Sequence, residues 1–117
     1  MVFCVVDDLF FSIKIKTAAQ YAGAEVYFER SPDKVLESLR EKQPALVILD
    51  LDSAKMRPME ALAAMKADPA LKNVPTIGFV SHVHADTIAA ARQAGVDQVL
   101  ARSAFVARLG EILAPGR

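Results

Sequence analysis

The sequence has a single cysteine, no excess of either charge, no glycine-rich loop and no long apolar run. Each shortage removes a class of protein. Cys4 has no partner, so disulfides and a cysteine metal site are excluded, and its place inside Val2-Phe3-Cys4-Val5-Val6 marks it as a buried, inert thiol. That fits a reducing cytoplasm. Lys+Arg and Asp+Glu both number 14, so no basic field gathers nucleic-acid phosphates and there is no acidic tail. Nucleic-acid binding is disfavoured. The amino terminus lacks a basic segment followed by a small-residue cleavage site, and no apolar run approaches the ~20 residues needed to cross a bilayer. The chain therefore reads as soluble and unsecreted, with no membrane partner. Without a glycine-rich phosphate loop, nucleotide or flavin binding has no support. Low-complexity stretches and linkers are also missing, so the 117 residues, 53% hydrophobic, read as one domain spanning residues 1–117.

What is there is an alternation of two periods. Short β-branched runs cover residues 2–6, 24–28, 45–50, 76–80 and 96–101, each followed by a stretch of helical spacing. The first helix carries Phe11, Ile15, Ala18, Ala19 and Ala22 on one stripe and is stopped by Gly23. Ser31-Pro32 opens the second, with Val35, Leu36 and Leu39 inward, and Glu37, Arg40, Glu41 and Lys42 form its solvated face. Pro58 opens the third, striped by Ala61, Leu62 and Met65, and Asp68-Pro69 ends it. The fourth runs from near Ala85 to Ala94 and stops at Gly95; the fifth opens at Ser103 and buries Phe105 or Val106, Leu109, Ile112 and Leu113. Met56, Met59 and Met65 read as core filler. Five strand-helix units with short connections imply an α/β fold, a (βα)5 doubly wound, five-stranded parallel sheet in the order 2-1-3-4-5.

Carboxylates mark where that sheet would work. The third run, Leu46-Val47-Ile48-Leu49-Asp50-Leu51-Asp52, and the first both end abruptly in acid, the first at Asp7-Asp8. In the 2-1-3-4-5 order these two strands are neighbours at the point where the winding reverses, which is where ligands bind. Crowded carboxylates raise one another's pKa unless a cation neutralises them, and an all-oxygen set favours Mg²⁺, with Mn²⁺ able to substitute. His82 and His84, two apart in a loop, read as solvent-exposed rather than as zinc ligands.

The runs FCVVDD, LVILD, VPTIGFVS and AGVDQVLARS together resemble the receiver domain of two-component response regulators, a flavodoxin-like fold, along essentially the whole chain. The resemblance implies that Asp50 accepts a phosphoryl group from a histidine kinase or phosphotransfer protein, that Asp7 and Asp8 hold Mg²⁺, and that Asp52 offers the metal a backbone carbonyl and a side chain that tunes phosphoryl lifetime. It also implies signalling to a downstream protein, with helix 4, strand 5 and helix 5 as the surface for a partner or a homodimer. Ala89, Ala90, Ala91 and Ala94 permit close packing there.

Departures from the family pattern fall in the second half. Where the family has a hydroxyl at the end of strand 4, ungapped spacing puts Val80; a one-residue shift puts Ser81 there. Arg102 replaces the family lysine, either to clasp the phosphoryl group or to pair permanently with Asp50. Val99 replaces the switch aromatic, and Ala54 and Pro58 stand in the loop after Asp50 where Pro and Gly are usual. The expectation is an atypical receiver, a signalling phosphoacceptor rather than an enzyme, with a weakened or rerouted switch. Two alternatives stand beside it: a phosphorylation-independent interaction module, and a haloacid-dehalogenase-like phosphatase, whose first motif LVILDLDS also resembles. Only 65 residues follow Asp52, which is short for that phosphatase family. At the end, Ala114-Pro115-Gly116-Arg117 either closes the chain, leaving output to another protein, or begins a linker.

Overall fold

The computed structural model describes residues 1–81 and 84–115. In chain order the elements are β1 (Val2–Val5), α1 (Leu9–Ala22), β2 (Val26–Phe28), a 3₁₀ turn (Pro32–Lys34), α2 (Val35–Lys42), β3 (Leu46–Asp50), α3 (Pro58–Ala67), β4 (Thr76–Val80), α4 (Ala85–Ala94), β5 (Gln98–Ala101), α5 (Arg102–Ala107) and α6 (Leu109–Leu113). Every strand pairing is parallel and the order is β2-β1-β3-β4-β5. This is the doubly wound sheet expected from the alternating periods. The winding reverses between β1 and β3, where Val5 lies opposite Leu49, and on the other side of β3 Asp50 lies opposite Phe79.

Side chains alternate across the sheet, so each strand feeds two cores. On one face Cys4, Ile48 and Phe79 pack with Phe11 and Ile15 of α1 and with Phe105, Ile112 and Leu113 of the last two helices. Val5, Val47, Leu49 and Val80 turn to the other face, against Leu39, Leu62, Met65 and Ala91 of α2, α3 and α4. β1, β3 and β4 are buried along their whole length, which is why they read as unbroken apolar runs. Each fully buried large side chain contributes about 1.5–3 kcal/mol to that packing.

Helix ends follow the sequence signals, with some differences. Gly23 (φ 68°) and Gly95 (φ 103°) adopt the left-handed conformation that a helix stop needs. Asp8 caps α1 by accepting the Phe11 amide, and Pro58 sits in the first turn of α3. Ser31 makes no side-chain cap, and the second helix starts through the 3₁₀ turn instead. The single fifth helix expected from Ser103 is two: α5 begins one residue earlier at Arg102, and the chain breaks at Arg108 (φ −100°, ψ 4°) before α6. That break lets Phe105 and Leu109 both bury, while Val106 stays partly exposed. β2 and β5 are shorter than their apolar runs, because Ala24 and Val96 are drawn into closing α1 and α4, bonding to the carbonyls of Ala19 and Ala91. His82, Gly116 and Arg117 lie outside the described residues. No helix among the described residues is long and apolar enough to cross a membrane.

Candidate functional site

Asp50 is the last residue of β3, and strand alternation turns its side chain to the face that holds Phe79 and α1. It is a buried carboxylate, only 2% exposed. Oδ1 accepts the Asp52 amide at 3.0 Å and lies 3.5 Å from Arg102 Nη2. Oδ2 has no partner among the described residues. Burial pushes the Asp50 carboxyl up to about 6; the Asp52 amide and Arg102 pull against that, and the charges of Asp52 and Asp7 add to it.

Asp52 has the opposite environment. Its Oδ2 accepts the Ser81 amide at 2.8 Å and Arg102 Nε at 2.9 Å, and its Oδ1 lies 2.7 Å from His84 Nδ1. Burial alone would raise its pKa, but the His84, Arg102 and Ser81 contacts outweigh it and hold the carboxyl below the usual range. Arg102 thus bonds more closely to Asp52 than to Asp50. Its guanidinium also lies 4.6 Å from the centre of the Phe11 ring and 5.6 Å from that of Phe79. Phe79 stacks on Phe11 and on Phe105, with centroids 4.8 and 4.6 Å apart, and Phe11 and Phe105 close the cluster at 6.5 Å. The cation therefore rests on the edge of the core.

The first strand supplies the other acids. Asp7 Oδ1 accepts Ser53 Oγ at 2.9 Å, and Ser53 Oγ in turn accepts the Met56 amide, which ties β1 to the loop after β3. Asp8 Oδ1 is occupied as the α1 cap at 3.0 Å. The chemistry of this set fits a hard divalent cation: Asp7, Asp8 and Asp50 each keep one oxygen without a partner among the described residues, and all are oxygen donors. The Asp52 side chain is directed elsewhere, which leaves its backbone carbonyl as the group it could offer. Among the described residues no three Asp, Glu, His or Cys side chains are already drawn together tightly enough to hold an ion.

Sequence reasoning misses two participants. His84 is half exposed, in keeping with its place in a loop, yet it fixes Asp52. Ser53, next to the acid run, carries no motif signal, and its bond to Asp7 spans 46 residues.

The residues that depart from the receiver pattern are equally well placed. Val80 is fully buried in the core on the α4 side, away from Asp50. Ser81 follows it at the strand end and reaches the site through its backbone amide. Val99, partly buried, packs against that same core.

Residues 2–114 match the model of the response regulator receiver domain. The chain belongs to the response regulator receiver family. Solved receivers agree in shape. A response regulator from Hahella chejuensis superposes with a TM-score of 0.86 at 20% identity, covering 97% of this chain and 91% of that one. A response regulator from Chloroflexus aurantiacus gives 0.82 at 21% identity, covering 97% and 96%. The phosphorylated cyanobacterial phytochrome response regulator RcpA gives 0.73 at 27% identity, covering 97% and 88%. None of the curated proteins matches. Receiver domains act in two-component signalling, interact with histidine kinases and downstream effectors, and bind divalent metal; the response regulator Rcp1, similar in fold, has been solved with Mn²⁺ bound.

Proposed function

We propose that this receiver accepts a phosphoryl group on Asp50 and carries an altered conformational switch. The observation that supports it most is Asp50 itself: a nearly sealed carboxylate at the switch point of the sheet, with one oxygen unpartnered among the described residues and a guanidinium beside it. In the transfer, Asp50 Oδ2 forms a bond to phosphorus as the P–N bond of a donor phosphohistidine breaks. The electron pair stays on the imidazole nitrogen, which takes up a proton from water. A bound Mg²⁺, or Mn²⁺, supplies charge neutralisation, and Asp7, Asp8, Asp50 and the Asp52 carbonyl would hold it. Burial of Asp50 excludes water from one side of the carboxylate, and Arg102 provides fixed positive charge.

The donor would be a histidine kinase or phosphotransfer protein. Among the described residues, Leu9, Phe10, Ile13 and Tyr21 are the exposed large apolar side chains, and all four lie on α1, the helix that follows Asp7 and Asp8. That supports docking of a donor protein there. Exposed Ala89, Ala90 and Ala94 on α4 suit an output partner or a second copy.

Incubation with Mg²⁺ and a small phosphodonor tests the reading. An acid-stable, base-labile phosphoryl group on the wild type that is missing from Asp50→Asn supports it; no phosphoryl group on the folded wild type overturns it.

One second reading has its own support. Val80 is sealed in the core without a hydroxyl, and Val99 offers no ring, so the fold also suits an interaction module indifferent to phosphorylation. Equal partner affinity of the wild type and of the Asp50→Asn variant under phosphorylating conditions would favour it. A phosphatase role fares worse, because the residue that would serve as general acid, Asp52, has both oxygens engaged by the Ser81 amide, Arg102 and His84.

A further inference from the structure

We propose that the Asp52 carboxylate is a resident stand-in for the phosphoryl group, holding the donors that an anion on Asp50 needs before any transfer has taken place. The inference deepens the phosphoacceptor reading of Asp50 and rests on it.

Stabilising a new anion at a sheet edge takes preorganised donors: a fixed cation and backbone N–H groups aimed at it. This site has one of each within reach. Arg102 is the cation and the Ser81 amide is the donor at the end of β4, and a single oxygen of Asp52 accepts from both, at 2.9 and 2.8 Å. The distance from Arg102 to Asp50, 3.5 Å, is at the edge of a hydrogen bond. The cation is committed to Asp52.

Two further contacts keep it so. His84 Nδ1 lies 2.7 Å from the other oxygen, so the carboxylate cannot rotate away without giving up a partner on each side. Arg102 sits on the faces of Phe11 and Phe79, so its planar head has a fixed seat and cannot swing outward freely.

A phosphoryl group on Asp50 Oδ2 therefore has two courses. It displaces Asp52 from Arg102 and the Ser81 amide, or it stays beside the Asp52 carboxylate without those two donors, which Asp52 keeps. Either way uptake is resisted by the internal carboxylate. Before uptake the end of β4 is already anchored as if an anion were present. The departures at Val80 and Val99 follow the same logic, since a strand end that is already tethered has less use for a hydroxyl that swings in.

The test titrates beryllofluoride, with Mg²⁺ present, into the wild type, Asp52→Asn and Asp52→Ala, following ¹H–¹⁵N signals of the Ser81 amide and Arg102 Nε. In the unliganded variants both signals should move from their wild-type positions, and beryllofluoride should return them toward those positions. Affinity should rise about ten- to hundredfold, the scale of one released charge-assisted hydrogen bond. Asp52→Asn, nearly the same shape, carries the comparison if Asp52→Ala does not fold. Equal or weaker binding to the variants overturns the inference. Tighter binding with both signals unmoved reduces the gain to relief of like charge and overturns it too. Binding to none of the three, the wild type included, removes the phosphoacceptor reading and this inference with it.

Discussion

The two halves of the sheet edge are built differently. Where β1 and β3 end, acids far apart in sequence come together on short tethers: Asp8 on its own helix, Asp7 on Ser53, Asp50 on the Asp52 amide. Where β4 and β5 end, the expected hydroxyl and ring are replaced by valines, and a hydrogen-bonded cluster of Asp52, His84 and Arg102 stands over the strand tips. The first half holds carboxylates that each keep an oxygen without a partner among the described residues. The second is a set of bonds already made, and on the proposed reading the contrast teaches that acceptance and read-out can diverge within one site.

Four measurements can break or sharpen that contrast. The largest effect belongs to Asp50→Asn, which should abolish phosphoryl uptake altogether. The same change bears on stability. A carboxyl whose pKa is raised to about 6 in the fold from 3.8 holds its proton more tightly when native, so its contribution is favourable below about 4 and is lost as pH rises through about 6. Asp50→Asn should therefore be more stable than wild type at pH 7.5, by on the order of 3 kcal/mol, with the gap closing toward pH 4 in urea titrations.

Next comes Phe79→Ala, which removes the ring that stacks on both Phe11 and Phe105 beneath Arg102. A loss of about 3–5 kcal/mol is expected by urea denaturation, because the rings on either side cannot close the gap. A loss no larger than that of an exposed site would mean that the read-out half does not depend on this stack.

A smaller effect should come from Val80→Thr. It restores a hydroxyl at the ungapped family position, but in a core lined by Leu49, Leu62 and Met65, so it should destabilise by about 1–2 kcal/mol and leave phosphoryl lifetime unchanged. A longer or shorter lifetime would mean that position 80 reaches Asp50 after all.

The smallest change tests a tether remote from both halves. Glu29 is buried yet held below its usual pKa: burial pushes it up, but the Ser38 hydroxyl, the Ser31 amide, the Tyr27 hydroxyl and the charge of Lys34 together prevail. A depressed carboxyl stabilises above its unfolded pKa and loses that contribution as pH falls through the folded value. Glu29→Gln should cost about 1 kcal/mol at pH 7, the deficit shrinking as wild type is acidified below about pH 4. A constant deficit across pH would refute the charge argument.

How much of this was legible in the chain depended on how local the signal was. Gly23, Gly95 and Pro58 act on their own turns, and their positions were readable. Strand order came from short connections and the alternation of periods. The division of the last helix at Arg108 was hidden, since Leu109, Ile112 and Leu113 keep helical spacing across it. At the site, Asp7, Asp8 and Asp50 announced themselves by ending apolar runs. His84 and Ser53 did not, because the bonds that define them join residues 32 and 46 apart and leave no periodic trace. Which of residues 80 and 81 points toward the acids turns on a single step of the pleat, which composition does not reveal; Val80 is sealed in the core and Ser81 bonds Asp52 through its main-chain amide.

The aromatic seat of Arg102 has a mechanical consequence. The guanidinium lies on Phe11 of α1 and on Phe79, and both rings touch Phe105 of α5, so tugging that cation strains a triangle of rings shared by two helices on one side of the sheet. Movement at the strand tips would then be transmitted sideways into the α1–α5 layer, leaving the opposite layer, where Val80 and Val99 sit, comparatively still.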